Sequence, residues 1–206
     1  MPDLRFSIVG AEAVPNAASP QIAFHIAIEN KEPDEIRNIL LQTQLRIDPM
    51  KRRYSPGEQV RLYELFGERS QWGKTLHSMP WTNAMVVVKP FAGSTTADLV
   101  VPCTFDFNVA ATKYFHELDD GEIPLTFLFS GSIFYSAADG ALQLAQISWE
   151  SDAAYRLPVA IWKTMMDLYY GDSAFLCLRR DVFDRLLQYK RERAFTSWEQ
   201  TIESFL

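Results

Sequence analysis

From Leu99 to Val109 the chain sets Leu99, Val101, Cys103, Phe105, Phe107 and Val109 at every second position, with Asp98, Thr104, Asp106 and Asn108 in the other register. Successive strand side chains point to opposite faces, so such a segment buries one face and leaves the other wet. The same alternation recurs at Ile22, Phe24, Ile26 and Ile28, and at Ile39, Leu41, Thr43, Leu45 and Ile47. A chain built this way must close its strands into a sheet-rich scaffold with one buried side per sheet.

Strand-like runs fill residues 4–14, 21–29, 36–47, 84–89, 97–111, 123–135 and 141–149, with turn chemistry between them. Val14-Pro15-Asn16, Lys31-Glu32-Pro33-Asp34, Asp119-Asp120-Gly121 and Ala138-Asp139-Gly140 fall where strands must reverse, and the last predicts a hairpin. Between the third and fourth runs, Ser55-Pro56-Gly57-Glu58 has capping-box spacing with proline at the first helical position, which predicts a short helix ending at Gly67. Gly131, inside the sixth run, marks a bulge or a close backbone approach.

After Trp149 the apolar period becomes helical. Pro158 opens a helix with Ile161, Trp162, Met165, Met166 and Tyr169 on one stripe and Gly171 at its end. A short strand at Phe175–Leu178, a helix capped by Asp181, and a last helix opened by Thr196-Ser197-Trp198-Glu199 complete the reading. The expected fold is mainly β within an α+β chain: an antiparallel immunoglobulin-like β-sandwich over 1–150, with an inserted short helix, and a helical extension over 151–206 packed on it.

With 48% hydrophobic residues in 206, the core needs no disulfides, and Cys103 and Cys177, both in apolar runs, read as small core hydrophobes. A net charge of −6 argues against nucleic-acid binding, because phosphate contacts need a basic surface. No run approaches the ~20 apolar residues of a membrane span, and Met1-Pro2-Asp3-Leu4-Arg5 lacks a signal-peptide pattern, so a cytoplasmic protein with no membrane insertion is expected.

No catalytic constellation stands out. Trp72-Gly73-Lys74-Thr75 imitates the end of a phosphate-binding loop, but the motif requires glycine at position 68, where the chain has Glu68. Phe129-Ser130-Gly131-Ser132 lacks the strand-turn-helix elbow of a serine nucleophile. His25, His77 and His116 are scattered, with no ligand-like spacing to each other or to a cysteine. Basic residues cluster at Lys51-Arg52-Arg53, Arg179-Arg180 and Lys190-Arg191-Glu192-Arg193; the first reads as a solvated turn and the last as the wet face of an amphipathic helix, with an acidic partner as the alternative for either. The irregular middle segment concentrates Tyr63, Trp72, Trp81 and Phe91, which serve either as an accessory core over a sheet end or as an exposed protein-docking surface.

The stretch from Phe105 through Trp149, with Pro124-Leu125-Thr126-Phe127-Leu128-Phe129-Ser130-Gly131 and Ile147-Ser148-Trp149, then Tyr155-Arg156-Leu157-Pro158-Val159, resembles an uncharacterised bacterial family of about this length. Members of that family lie in gene neighbourhoods of nickel-iron hydrogenases, so the resemblance implies an accessory role in hydrogenase assembly or attachment, with a hydrogenase component as partner. It brings no catalytic residues and no cofactor. A second similarity, to the SecB export chaperones, rests on Gly131, Ile133, Phe134 and Val182-Phe183-Asp184. The expectation is a non-enzymatic, cofactor-free protein-binding or adaptor protein. The alternatives are a SecB-like holdase chaperone and a metal-dependent enzyme or metalloprotein using the three histidines.

Overall fold

The computed structural model describes residues 2–206 except Phe107, Ala138, Asp172, Ala174 and Phe175. It divides into two compact units, residues 1–172 and 173–206. In the first, strands β1 (Leu4–Ala13), β2 (Gln21–Asn30) and β5 (Ser94–Pro102) form a three-stranded sheet in the order β1-β2-β5. Strands β4 (Met79–Val88), β3 (Glu35–Ile47), β6 (Glu122–Ser136) and β7 (Leu142–Gln146) form the second sheet in that order, and β8 (Asp152–Pro158) also pairs with β6. Every pairing is antiparallel. The fold is therefore α+β with a dominant antiparallel β-sandwich, as the alternating pattern required.

The two sheets meet through aromatic side chains. Phe6 of β1 stacks on Phe129 of β6 with ring centroids 4.5 Å apart. Phe24 of β2 meets Phe127 at 5.1 Å and Trp81 of β4 at 6.0 Å, both edge-on, a geometry that suits the ring quadrupoles. Ile22, Phe24, Ile26 and Ile28, and facing them Ile39, Leu41, Leu45 and Ile47, are almost completely buried. Each such side chain contributes about 1.5–3 kcal/mol relative to exposure.

The helices of the first unit close the sandwich. Helix α1 (Pro56–Arg61) carries the predicted capping box, with Ser55 Oγ accepting from Glu58 N and Glu58 Oε2 accepting from Ser55 N. Helix α2 (Tyr63–Phe66) ends at Gly67, whose φ of 68° favours glycine. Helix α3 (Trp72–Thr75) completes this segment. The Gly73-Lys74-Thr75 stretch belongs to that short helix, and Thr75 Oγ1 donates to Phe66 O at 2.6 Å. Helix α5 (Val159–Tyr170) starts and ends where Pro158 and Gly171 predicted. Tyr169 Oη on α5 donates to Val14 O and accepts from Ala17 N, each at 2.8 Å, which ties the helix to the β1–β2 turn.

Several expectations need correction. The strand predicted over 97–111 ends at Pro102, and helix α4 (Val109–His116) follows. Asn108 is the cause: its Oδ1 caps Ala111 N at 3.0 Å while its Nδ2 donates to Trp81 O at 2.8 Å. Ala111, Tyr114, Phe115 and Leu118 then become a buried helical stripe. Phe107 lies outside the described residues, so the full alternating face is not compared there.

The boundary predicted at 150 also moves, because residues 152–158 form β8 and α5 packs in the same unit. In β8, Ala153 and Leu157 are buried and Tyr155 between them is half-buried, a three-residue alternation too short to stand out beside the helical stripe that follows. Finally, Cys103 is buried but Cys177 is exposed. The Cys177 strand does not form over the described residues 176–178, and Phe175 lies outside them.

The second unit holds α6 (Arg180–Glu192) and α7 (Trp198–Glu203). Arg179, not Asp181, occupies the N-cap of α6. Ser197, one residue later than predicted, caps α7 by accepting from Gln200 N, while Gln200 Oε1 accepts from Thr196 N rather than from the cap residue, so the cap forms without a reciprocal box. Phe183 packs on Trp198 and Tyr189 on Phe205, yet α6 has no buried residue.

The two thiols differ enough to be counted chemically. Burial pushes the Cys103 thiol up to about 12, so almost no thiolate forms at neutral pH. A colorimetric thiol reagent is expected to react rapidly with one cysteine per native chain and with both after denaturation. Two rapid equivalents in the native protein would contradict the burial of Cys103.

Candidate interaction surface

The aromatic residues singled out from the sequence are not brought together on a surface. Trp81 is 4% exposed and lies against Phe24 and Phe115. Trp72 is buried against Tyr54 and Phe66 and donates from Nε1 to Gly67 O at 3.1 Å. Phe91 is half-buried and exchanges backbone hydrogen bonds with Ile36 at 3.0 Å. Tyr63 alone of the four is exposed. Trp72 thus belongs to an accessory core under the helical cap, while Trp81, in β4, joins the core between the sheets.

The polar cluster under that cap is structural in its chemistry. Arg52 Nη2 contacts Glu58 Oε1 at 2.5 Å, with both side chains more than nine-tenths buried. Arg52 also donates to Glu122 O at 2.9 Å and Asp120 O at 2.7 Å, while Glu58 accepts from Asp119 N at 3.0 Å. Burial pushes the Glu58 carboxyl upward, but bonds from the Ser55 and Asp119 amides and from Arg52 outweigh it and hold the group below the usual carboxylate range. Beside them, the Tyr54 and Tyr114 hydroxyls lie 2.7 Å apart, and burial pushes Tyr54 up to about 12. Every charge here is matched and no ionisable oxygen is poised to titrate near neutrality.

The histidines do not converge. His25 Nδ1 lies 2.7 Å from Asp98 on the neighbouring strand, and its Nε2 lies 3.8 Å from Glu12. A side chain at Gly10, opposite His25 in register, would press on the imidazole, so that glycine makes room for the ring. Among the described residues no three of His, Cys, Asp and Glu are grouped to hold a metal ion. None of the helices formed by described residues is long and apolar enough to cross a membrane.

What the sequence reading missed is the outer face of the five-stranded sheet. Register aligns Val87, Leu40, Ser132 and Gln146 in one row across β4, β3, β6 and β7, and Met85, Gln42 and Ser130 in the next. Asn38, Phe134 and Leu144 form a third. Leu40, Met85, Val87 and Leu144 are all exposed, Met85 at 65% and Leu144 at 59%. No residue in these rows is charged. Gln42, Gln44, Asn83, Met85 and Ser130 also line a shallow depression of about 350 Å³. The buried Asn38 Oδ1 has no hydrogen-bond partner on this side of the sheet. The sequence signal was the run Met85-Val86-Val87-Val88 and the doublet Leu40-Leu41, which place apolar side chains on both faces of a strand that needs only one buried.

A family model matches the sequence over residues 1–206. The chain belongs to DUF6084, a family of unknown function. Membership agrees with the resemblance to an uncharacterised family. No curated protein matches this DUF6084 sequence. Among solved structures, the DUF6084 chain is similar to the CARDB domain of a Pyrococcus furiosus protein in complex with di-metal ions. That match has 8% identity and a TM-score of 0.29, covering 76% of this chain and 92% of that one. It is also similar to a putative ApaA protein from Bordetella pertussis, at 13% identity and a TM-score of 0.29, covering 76% and 93%. A β-glucosidase from Kluyveromyces marxianus matches at 8% identity and a TM-score of 0.27, covering 75% of this chain and 15% of that one.

Proposed function

We propose that this DUF6084 protein is a non-enzymatic protein-binding module that docks a partner on the outer face of its five-stranded sheet. The observation that carries the reading is the uncharged patch of Leu40, Met85 and Val87, exposed side by side across β3 and β4. Monomeric proteins rarely leave contiguous apolar area of this kind in water, and an amide- and hydroxyl-rimmed patch suits a partner whose own contact area is apolar and uncharged. The resemblance to a family found beside nickel-iron hydrogenases makes a hydrogenase component the partner to test first.

The test is direct binding of the purified protein to that component. Met85→Glu with Val87→Glu places two carboxylates in the patch at exposed positions, so the fold is retained while docking must desolvate charge. A loss of affinity of about 10-fold or more is expected. Equal binding by wild type and double variant, or no binding by either, would overturn the proposal.

A further inference from the structure

The edge strand β7 has a different property from the face beside it, and it leads to a conclusion independent of the partner reading. Ile147 N donates to Gly131 O and Ala137 N donates to Ala141 O, each at 2.9 Å. These bonds fix the parity of the β6–β7 ladder, so the odd-numbered residues of β7 bond toward β6. Leu142, Leu144 and Gln146 therefore direct their amide N–H and C=O groups to the open side, where the sheet order ends. Natural edges are usually protected by charge, proline or a bulge. From Ala141 to Ser148 the chain has no charged residue, no proline and no glycine, and the β6–β7 register runs without a shift.

We propose that the protein forms a symmetric dimer in which β7 pairs antiparallel with β7 of a second copy, the two-fold axis passing at Leu144. This axis matches the parity. Leu144 then faces Leu144 of the second copy, and Leu142 faces Gln146, each as a hydrogen-bonded pair exchanging both N–H···O bonds. All the outward-directed backbone groups of β7 are satisfied together, and the two five-stranded sheets become one continuous sheet.

The outward-directed groups of β7 are complementary to themselves under a two-fold axis at Leu144, which points to a second copy as the occupant. A chain of net charge −6 repels itself over most of its surface, whereas this stretch brings no like charges opposite one another. Leu144, exposed on the single copy, gains an apolar neighbour directly across the axis, the Leu144 of the second copy.

Sedimentation of the full chain at about 100 μM, a concentration suited to a small interface of micromolar affinity, is the test. Wild type is expected as a dimer. Leu144→Lys and Leu144→Glu each place like charges across the axis and are expected as folded monomers, with an equimolar mixture of the two recovering the dimer. A cysteine variant gives a second readout that requires no loss of association. In a Cys177→Ser background, Leu144→Cys puts the paired Cα atoms about 5.5 Å apart, within disulfide reach, and mild oxidation is expected to link the copies. Val9→Lys, on the other sheet, is expected to leave the dimer unchanged. A monomeric wild type, dimers of Leu144→Lys indistinguishable from wild type, or no recovery in the mixture and no cross-link would each overturn the assignment.

Discussion

Replacing Gly131 by alanine is expected to remove stable folding of the sandwich, with a loss of about 4 kcal/mol or more in urea unfolding, or insoluble protein. Gly131 sits in the middle of β6 with φ of 133°, a region that side-chain-bearing residues do not occupy without strain. A Cβ built there falls 1.9 Å from Leu40 O and 3.1 Å from Leu40 C. Both clashing atoms belong to the backbone of β3, so no rotamer change relieves them. The strands must separate at the centre of the pairing that runs from Glu35↔Ser136 to Ile47↔Leu125. Gly140→Ala is the control: its φ is 82° but its Cβ meets nothing within 4 Å, so only the conformational cost of about 1 kcal/mol is expected. A Gly131→Ala protein with the wild-type unfolding midpoint would refute the close β3–β6 approach.

Glu58→Gln is expected to lower stability by about 3–5 kcal/mol, because it leaves the Arg52 guanidinium buried without its counter-charge. Arg52 Nε already lacks a partner, so the guanidinium has no spare acceptor to turn to. The paired variant Arg52→Met with Glu58→Leu is expected to lose less than Glu58→Gln alone, since removing both charges removes the desolvation penalty with the attraction. If the double variant proves less stable than the single, the pair contributes net stability of its own.

The same group sets the acid limit of the fold. The folded pKa of Glu58 is depressed, so its contribution is fully present above the unfolded value of about 4.3 and is lost as pH falls through the lower folded value. Asp48 acts with the same sign. Burial raises its carboxyl, but bonds from Lys51 and Thr126 outweigh that and hold it below the ordinary range. Stability should therefore fall below about pH 4, and Glu58→Gln should show a flatter decline there than wild type.

Much of the scaffold was legible because one-sided burial imposes a period of two. β1, β2, β3, β6 and β7 fall where alternation placed them, and the β6–β7 hairpin forms across the predicted turn. Caps were legible for an equally local reason: Ser55 and Glu58 satisfy each other's backbone within one turn. The alternation at 103–109 misled because Asn108 draws on a carbonyl of a distant strand, Trp81 O, and a helix start held from that far away leaves no periodic trace.

The interaction surface was less legible than the fold. Aromatic residues in an irregular segment carry the same composition whether they fill a core or face solvent; Trp72 fills the cap and Trp81, in β4, fills the sandwich core. The exposed Leu40, Met85 and Val87 become a patch only when β3 and β4 pair in register, and β7 becomes an edge only when the strand order is known.

By itself, then, the sequence determined the elements whose cause is local: the strand period, the capping box of α1 and the glycine in β6. Tertiary structure alone decided which apolar residues are covered. Burial depends on the partner strand a residue meets, and that partner lies as far along the chain as Leu40 does from Gly131.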